Sequence, residues 1–225
     1  MPDGAAAPPA MRLHLGCGQR YLPGYQNVDF PAASRPAQEA PVADVEADIL
    51  SLRYPGGSVG EVRLHHVFEH FTRPVACGLL ASWHSWLVPG GILRVEVPDF
   101  RRTALASLNP FGGIRSKGVA RRHIFGSHEA PWAVHCEGYG PGDLEQVLRA
   151  FAFRVVRTSR NAWKGTYNVE TVAVRGEDFL LMDEFERRAA AYLRGFLVDD
   201  SATEARILDA WIGIFRDQLE RSFAR

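Results

Sequence analysis

The sequence predicts an α/β protein in which strands and helices alternate around one sheet, with a helical extension at the end. Three observations predict it. Short apolar runs recur between residues 11 and 97, and one long amphipathic stripe interrupts them. A Gly-x-Gly turn, Gly16-Cys17-Gly18, directly follows the first of those runs. From residue 177 the pattern changes to two apolar stripes at helical spacing.

Met11 to Leu15 reads as the first strand, Asn27 to Phe30 as the second, and Val42 to Leu50 holds a weak third. Glu61 to Phe68 alternates as a fourth. Thr72 to Leu87 reads as a helix: Thr72 can cap it, Pro74 suits its first turn, and Val75, Leu79, Leu80, Trp83 and Leu87 form one stripe. Pro89-Gly90-Gly91 then breaks the helix and turns the chain into a fifth strand, Ile92 to Val97. Residues 98–142 are irregular and rich in Gly, Pro, Arg and His, the pattern of a functional loop, so 100–142 is expected to fold as a lid. A second helix is carried by Leu144, Val147, Leu148 and Phe151; Arg154 to Thr158 and Val169 to Arg175 are the last two strands.

In the extension, Phe179, Met182, Phe185, Ala189, Tyr192, Leu193 and Phe196 share one stripe. Ser201 with Glu204 resembles a capping box ahead of a second stripe, Ile207, Leu208, Trp211, Phe215 and Leu219. Such stripes must be covered, by the parent domain or by a second copy in a homodimer. The expected organisation is a loose tail over 1–10, a main domain over 11–176 and the helical extension over 177–225.

The chain has 225 residues, 46% hydrophobic and 23% charged, with Lys+Arg and Asp+Glu balanced at 26 each. No overall field draws it to nucleic acid or to an anionic membrane, and the basic run Arg115 to Arg122 reads as a solvated face. No stretch approaches ~20 consecutive apolar residues, so no membrane span is expected. The three cysteines, Cys17, Cys77 and Cys136, lack CxxC spacing and suggest neither a disulfide framework nor a zinc site. A reducing cytoplasm fits them, and Met1 to Ala10 lacks the regions of a signal peptide.

The chemistry starts at the glycine turn. A glycine pair after a first strand lets backbone pass close to a ligand. Asp29, ending the second strand, is placed to accept hydrogen bonds from the two hydroxyls of a ribose. Dinucleotide dehydrogenases use similar parts, but here Tyr21 stands where G-x-G-x-x-G requires its third glycine, and the acid arrives far sooner than the ~20 residues of that fingerprint.

These residues resemble class I S-adenosylmethionine-dependent methyltransferases, in particular a bacterial branch of predicted small-molecule and sugar methyltransferases. The likeness covers roughly residues 12 to 175. It rests on LHLGCGQRYLPGYQNVDF, ADIL, HHVFEHF, WHSWLVPGGILRVEVPDF and RRHIFG, in that order. The resemblance implies a Rossmann-like sheet with helices on both faces, the His-rich lid, and S-adenosyl-L-methionine as cofactor. Gly16, Cys17 and Gly18 would lie against its methionine portion, Asp29 on the ribose, Asp48 and Ile49 on the adenine, and His66 beside the methyl donor. The chain departs from the wider superfamily between Gly18 and Asp29, an interval too short for a crossover helix, where a turn around Pro23-Gly24 must serve.

For a hydroxyl acceptor the protein must position the groups, exclude water and remove a proton, and neutral histidine suits that last task near pH 7. His65, His66, Glu69 and His70 follow the fourth strand and Asp99 the fifth, at the rim where open α/β sheets bind ligands. The lid adds His123, His128 and His135. His135 is the expected base, with His123 and His66 orienting the acceptor; His14 and His84 look structural. Glu69, Asp99, His123 and His135 are also hard or borderline donors, so Mg2+ assistance stays open, although no fixed ligand spacing is present. Trp132, Tyr139, Trp163 and Tyr167 could stack on a sugar or aromatic acceptor. The expected activity is O-methylation of a small molecule, a sugar or oligosaccharide first and a secondary-metabolite phenol or amine second. A nicotinamide oxidoreductase and a non-catalytic nucleoside-binding or dimerising module are the readings from other classes.

Overall fold

Alternating residues of the central strands divide the sheet into an apolar side and a charged side, and this division organises the rest. The computed structural model describes residues 10–34, 42–163 and 165–223; apart from Ala10, the expected tail lies outside them. The strands are β1 (Met11–Leu15), β2 (Gln26–Asp29), β3 (Val45–Glu46), β4 (Val59–His65), β5 (Leu87–Pro98), β6 (Phe153–Trp163) and β7 (Thr166–Arg175). They form one sheet of order β3-β2-β1-β4-β5-β7-β6. β1 to β5 are parallel, and β7 runs antiparallel to both of its neighbours. The helices are α1 (Arg73–Trp86), α2 (Phe100–Leu108), α3 (Ile114–Phe125), α4 (Pro141–Ala150), α5 (Met182–Arg194) and α6 (Ala202–Phe223).

Leu13, Leu15, Val62, Leu64, Leu93 and Val95 are fully buried in the core with α1 and α4. The other side carries a ladder of ion pairs in strand order. Arg12 meets Glu61 at 2.7 Å, Glu61 meets Arg94 at 3.5 Å, Arg94 meets Glu170 at 3.2 Å, and Glu170 meets Arg157 at 2.9 Å. The turn expected around Pro23-Gly24 joins β1 to β2, with Tyr25 N donating to Leu22 O and Gly24 at φ +80°.

Several expected elements change in detail. Thr72 sits at the α1 N-cap in extended conformation, but its side chain makes no capping bond. The Pro89-Gly90-Gly91 break lies inside β5: Val59 pairs with Leu87 and Glu61 with Ile92, so the extra residues bulge outward with Gly90 at φ +74°. β4 stops at His65, and Phe68–His70 forms a 3-10 turn.

The expected irregular lid is largely helical. α2 and α3 have only Thr103 and Ala120 buried, whereas Leu108, Phe111 and Ile114 are 75%, 96% and 93% exposed. With its apolar residues facing outward, the segment has none of the inward stripe by which a helix is read.

Both extension helices bury the centres of their stripes within the chain, while Met182 and Phe196 at the ends of the first stripe stay exposed. Phe185, Ala189 and Leu193 of α5 and Leu208, Ile212, Phe215 and Leu219 of α6 join the core, so these faces give no support to a homodimer. Gly78 of α1 admits α6 closely, since a Cβ there would stand 2.8 Å from Gln218. Phe179 falls outside α5 and is exposed, beneath the Arg175 guanidinium. Ser201 Oγ accepts from Glu204 N, but the Glu204 carboxylate reaches Val198 N, so the capping box closes on one side only. No helix among the described residues is long and apolar enough to cross a membrane.

His84, as expected, is structural. It is buried on α1 with its ring edge against Phe153 and Phe185, and its Nδ1 has no hydrogen-bond partner. Burial, with Arg175 and Arg188 nearby, pushes its imidazole down to about 4. The unfolded chain, with a value of about 6.5, takes up the proton first. Stability contributed by neutral His84 is therefore complete above about pH 6.5 and falls by up to roughly 3 kcal/mol as pH drops toward 4. Urea unfolding between pH 7.5 and 4.5 should show this acid slope, and His84→Leu should flatten it.

Candidate functional site

The site is built where β1 and β4 end. β1 hands over to Gly16 at φ +66° and Gly18 at φ +55°, and Gly16 N and Cys17 N both donate to Val28 O at 2.8 and 3.1 Å. This turn crosses under the loop after β4 so closely that a Cβ on Gly16 would lie 2.3 Å from Val67 Cγ2. A Cβ on Gly18 would meet open space, leaving only its left-handed backbone to favour glycine. Asp29 ends β2 and is buried; its Oδ2 accepts from Gly18 N and its Oδ1 from Phe30 N, both at 2.7 Å. Asp48 caps the 3-10 turn Ile49–Ser51, accepting from Leu50 N with Oδ1 at 2.9 Å.

These parts surround one cavity of about 690 Å³ beyond the carboxyl ends of the parallel strands. The structure brings every residue assigned to the cofactor to its wall: Gly16, Cys17, Gly18, Asp29, Asp48, Ile49 and His66. Sequence reasoning missed Glu96, Arg20 and Cys136, which also line it. Glu96 had a signal, a lone acid alternating with Val95 and Val97 in a buried strand.

His66 takes φ +54°, a strained conformation for a residue with a side chain, and its N–H donates to Glu96 O at 2.9 Å. Its ring stands between two acids, Nδ1 3.4 Å from Glu69 Oε1 and Nε2 3.7 Å from Glu96 Oε1. Burial pulls the His66 imidazole down, but these carboxylates outweigh it and hold it above its ordinary value. Glu69 is buried, which raises it, yet His66, His70 and His135 together hold it below the usual carboxylate range.

The lid histidines separate. The His123 ring lies 5.3 Å from that of His66, and its Nε2 meets Asn168 Oδ1 at 3.1 Å; His135 Nε2 is 3.9 Å from Glu69 Oε1. Both imidazoles are lowered, chiefly by burial. Neither lines the large cavity; with Glu69 they border a void of about 10 Å³ behind it. His66 therefore reaches the cavity directly, where His135 had been expected to.

His128 is exposed and bonded to Phe125 O, outside the cavity wall. Asp99 is fully buried and structural, its Oδ1 capping α2 and its Oδ2 accepting from Arg160 at 2.9 Å. Of the aromatic residues expected to stack on an acceptor, only Trp132 lines the cavity. Tyr139 is core, stacked on Phe68; Trp163 is exposed at the end of β6; Tyr167 lies under Arg102.

Solved structures share this architecture. An S-adenosylmethionine-dependent methyltransferase from Methanosarcina mazei superposes with a TM-score of 0.50 at 13% identity, covering 75% of this chain and 93% of that one. One from Archaeoglobus fulgidus gives 0.50 at 16% identity, covering 74% and 86%. The fold is the class I methyltransferase fold. No protein-family model matches the chain, and no curated protein is found to be similar.

Within the methyltransferase fold the Gly16–Gly18 turn is the structural crux of the site, and the two glycines answer different demands. Gly18→Ala should cost about 1–2 kcal/mol, the strain of a left-handed alanine. Gly16→Ala should cost about 1–3 kcal/mol more, because its methyl group collides with Val67. Urea denaturation of the two variants checks the order.

Proposed function

We propose that this chain is an S-adenosylmethionine-dependent methyltransferase that holds its cofactor in the 690 Å³ cavity. The observation that carries the reading is the convergence of the Gly16–Gly18 turn, Asp29 and Asp48 on one wall, in a sheet of methyltransferase topology. The residues fit the group. The turn at Gly18 is open where a Cβ would project, Asp29 offers acceptors to ribose hydroxyls, and Asp48 Oδ2 can accept from the adenine amine above the apolar Ile49. When bound, the cofactor supplies a methyl group activated on a sulfonium.

The chain's own part is to bind, align and receive a proton. The acceptor we assign is a hydroxyl of a sugar or oligosaccharide, supported by a rim of imidazoles with the Trp132 ring among them. Trp132 is fixed by Nε1 donating to Ser34 O at 2.8 Å and by its 5.6 Å contact with Phe30, so it can present a face to a sugar ring. His66, the candidate base on the cavity wall, orients the hydroxyl and takes its proton as the new O–C bond forms; Glu69 and Glu96 fix its ring. His123 and His135 support it from behind, a reversal of the order expected from the sequence.

The test is transfer of labelled methyl groups from S-adenosylmethionine to panels of glycosides, phenols and amines. The reading predicts labelled methyl ethers on sugars, and His66→Gln should lower kcat by about 100-fold or more, with less effect on KM. Transfer to phenols or amines alone would overturn the sugar assignment. A protein that binds the cofactor but methylates nothing would support the non-catalytic module.

A further inference from the structure

We propose that Glu69, His70 and His135 form a binding site for one first-row transition-metal dication of the Zn2+ and Co2+ type, in the wall of the cavity. Glu69 and His70 come from the 3-10 turn after β4, and His135 from the stretch before α4. One ligand atom from each lies within 4.8 Å of the others. Ligands around a single ion with bonds of about 2.0–2.2 Å stand roughly 3–3.5 Å apart, so a small side-chain rotation closes the set.

Two features of the cluster point to a cation. The Glu69 carboxylate is 1% exposed, and neither of its oxygens has a hydrogen-bond partner. A buried carboxylate in that state is costly unless a cation completes it. Its nearest opposite groups are the imidazole nitrogens of His66 and His135 at 3.4 and 3.9 Å, an ion-pair contact that leaves both oxygens without a formed hydrogen bond.

The second feature is His70, whose Nδ1 lies 3.0 Å from Trp132 O and 2.9 Å from Val134 O. Both oxygens can only accept, so Nδ1 carries a proton, and in the neutral ring the lone pair is on Nε2. An outer hydrogen bond to a backbone carbonyl is the device that fixes the tautomer of a metal-binding histidine.

The surroundings are built to hold the three residues together. Cys136 N and Glu137 N both donate to Glu69 O, at 2.8 and 3.2 Å, and tie the His135 segment to the turn. A void of about 10 Å³ borders Glu69 and His135, roughly one water-sized probe. His70 and His66 face the large cavity on the other side, which leaves an open position from which a substrate hydroxyl could reach the ion.

The donor set also selects the ion. Two imidazoles and one carboxylate suit Zn2+, Co2+ and their neighbours, whereas Mg2+ prefers an all-oxygen shell. This differs from the Mg2+ assistance left open by the sequence, and Asp99 of that earlier donor set is committed to Arg160 and the α2 cap.

The site is independent of the methyltransferase reading and is tested without activity. Chelator-stripped full-length protein is titrated with Co2+, Zn2+ and Mg2+ by calorimetry, with the visible absorption of Co2+ followed in parallel. One equivalent of Co2+ and of Zn2+ should bind, and Mg2+ should give no saturable heat. Glu69→Gln and His135→Gln should each weaken Zn2+ at least tenfold. His128→Gln, which alters an exposed histidine outside the cluster, should leave it unchanged. Thermal melts confirm that each variant is folded; if one is not, the other decides. Substoichiometric Zn2+ and Co2+, or full affinity retained in a folded Glu69 or His135 variant, would overturn the proposal. S-adenosylhomocysteine titrated into the same samples reads the methyltransferase assignment separately.

Discussion

Val67 packs against residue 16 so closely that a side chain there would occupy the space of its Cγ2. This contact between the loops after β1 and β4 forms the floor of the cavity, and the rest of the site is arranged around it. Left-handed backbone at Gly16 turns the chain toward Gly18, whose amide then locks Asp29 at the end of β2. On the other side of the same contact, His66 sits in its own left-handed conformation, and the turn that follows puts Glu69 beneath its ring. The two parts of the cavity wall, the Gly16–Asp29 side and the His66–Glu69 side, are thus set by one close approach between adjacent parallel strands.

The charged side of the sheet has a different physical role. Five residues of alternating sign, Arg12, Glu61, Arg94, Glu170 and Arg157, cross five strands. Individual pairs of partly exposed charges contribute little, about 0–1 kcal/mol each. Their alternation does let the strands present charge on one side while the other closes on an apolar core. It accompanies the missing crossover helix between β1 and β2, where the short turn after Gly18 leaves β1 and β2 without that cover.

What could be read in the sequence followed from burial. Leu13 and Leu15, the α1 stripe and the α5 and α6 stripes face the core, so periodicity revealed them. The Gly16–Asp29 wall of the cavity was legible because the left-handed backbone and the close approach of Val67 demand glycine at residue 16, and Asp29 follows it at the end of β2. The α2–α3 segment was not, because Leu108, Phe111 and Ile114 point away from any core. β6 and β7 ran longer than expected because the far half of β6, Arg160 to Trp163, is exposed and shows little alternation. Asp99 and His135 misled for a related reason: a polar residue at a strand end or in a loop can serve the scaffold, as the Asp99–Arg160 pair does, or stand one layer behind the cavity, as His135 does.

The central claim is that the cavity bounded by Gly16, Asp29 and Asp48 is a nucleoside site for S-adenosylmethionine. Calorimetric titration of the intact protein with S-adenosylhomocysteine tests it most directly, beside Asp29→Ala and Asp48→Ala variants and an NAD control. The account predicts saturable binding at about one equivalent, weakened at least tenfold in each folded variant, and no heat from NAD. Absence of binding by the folded wild-type protein, or preference for NAD, would contradict it.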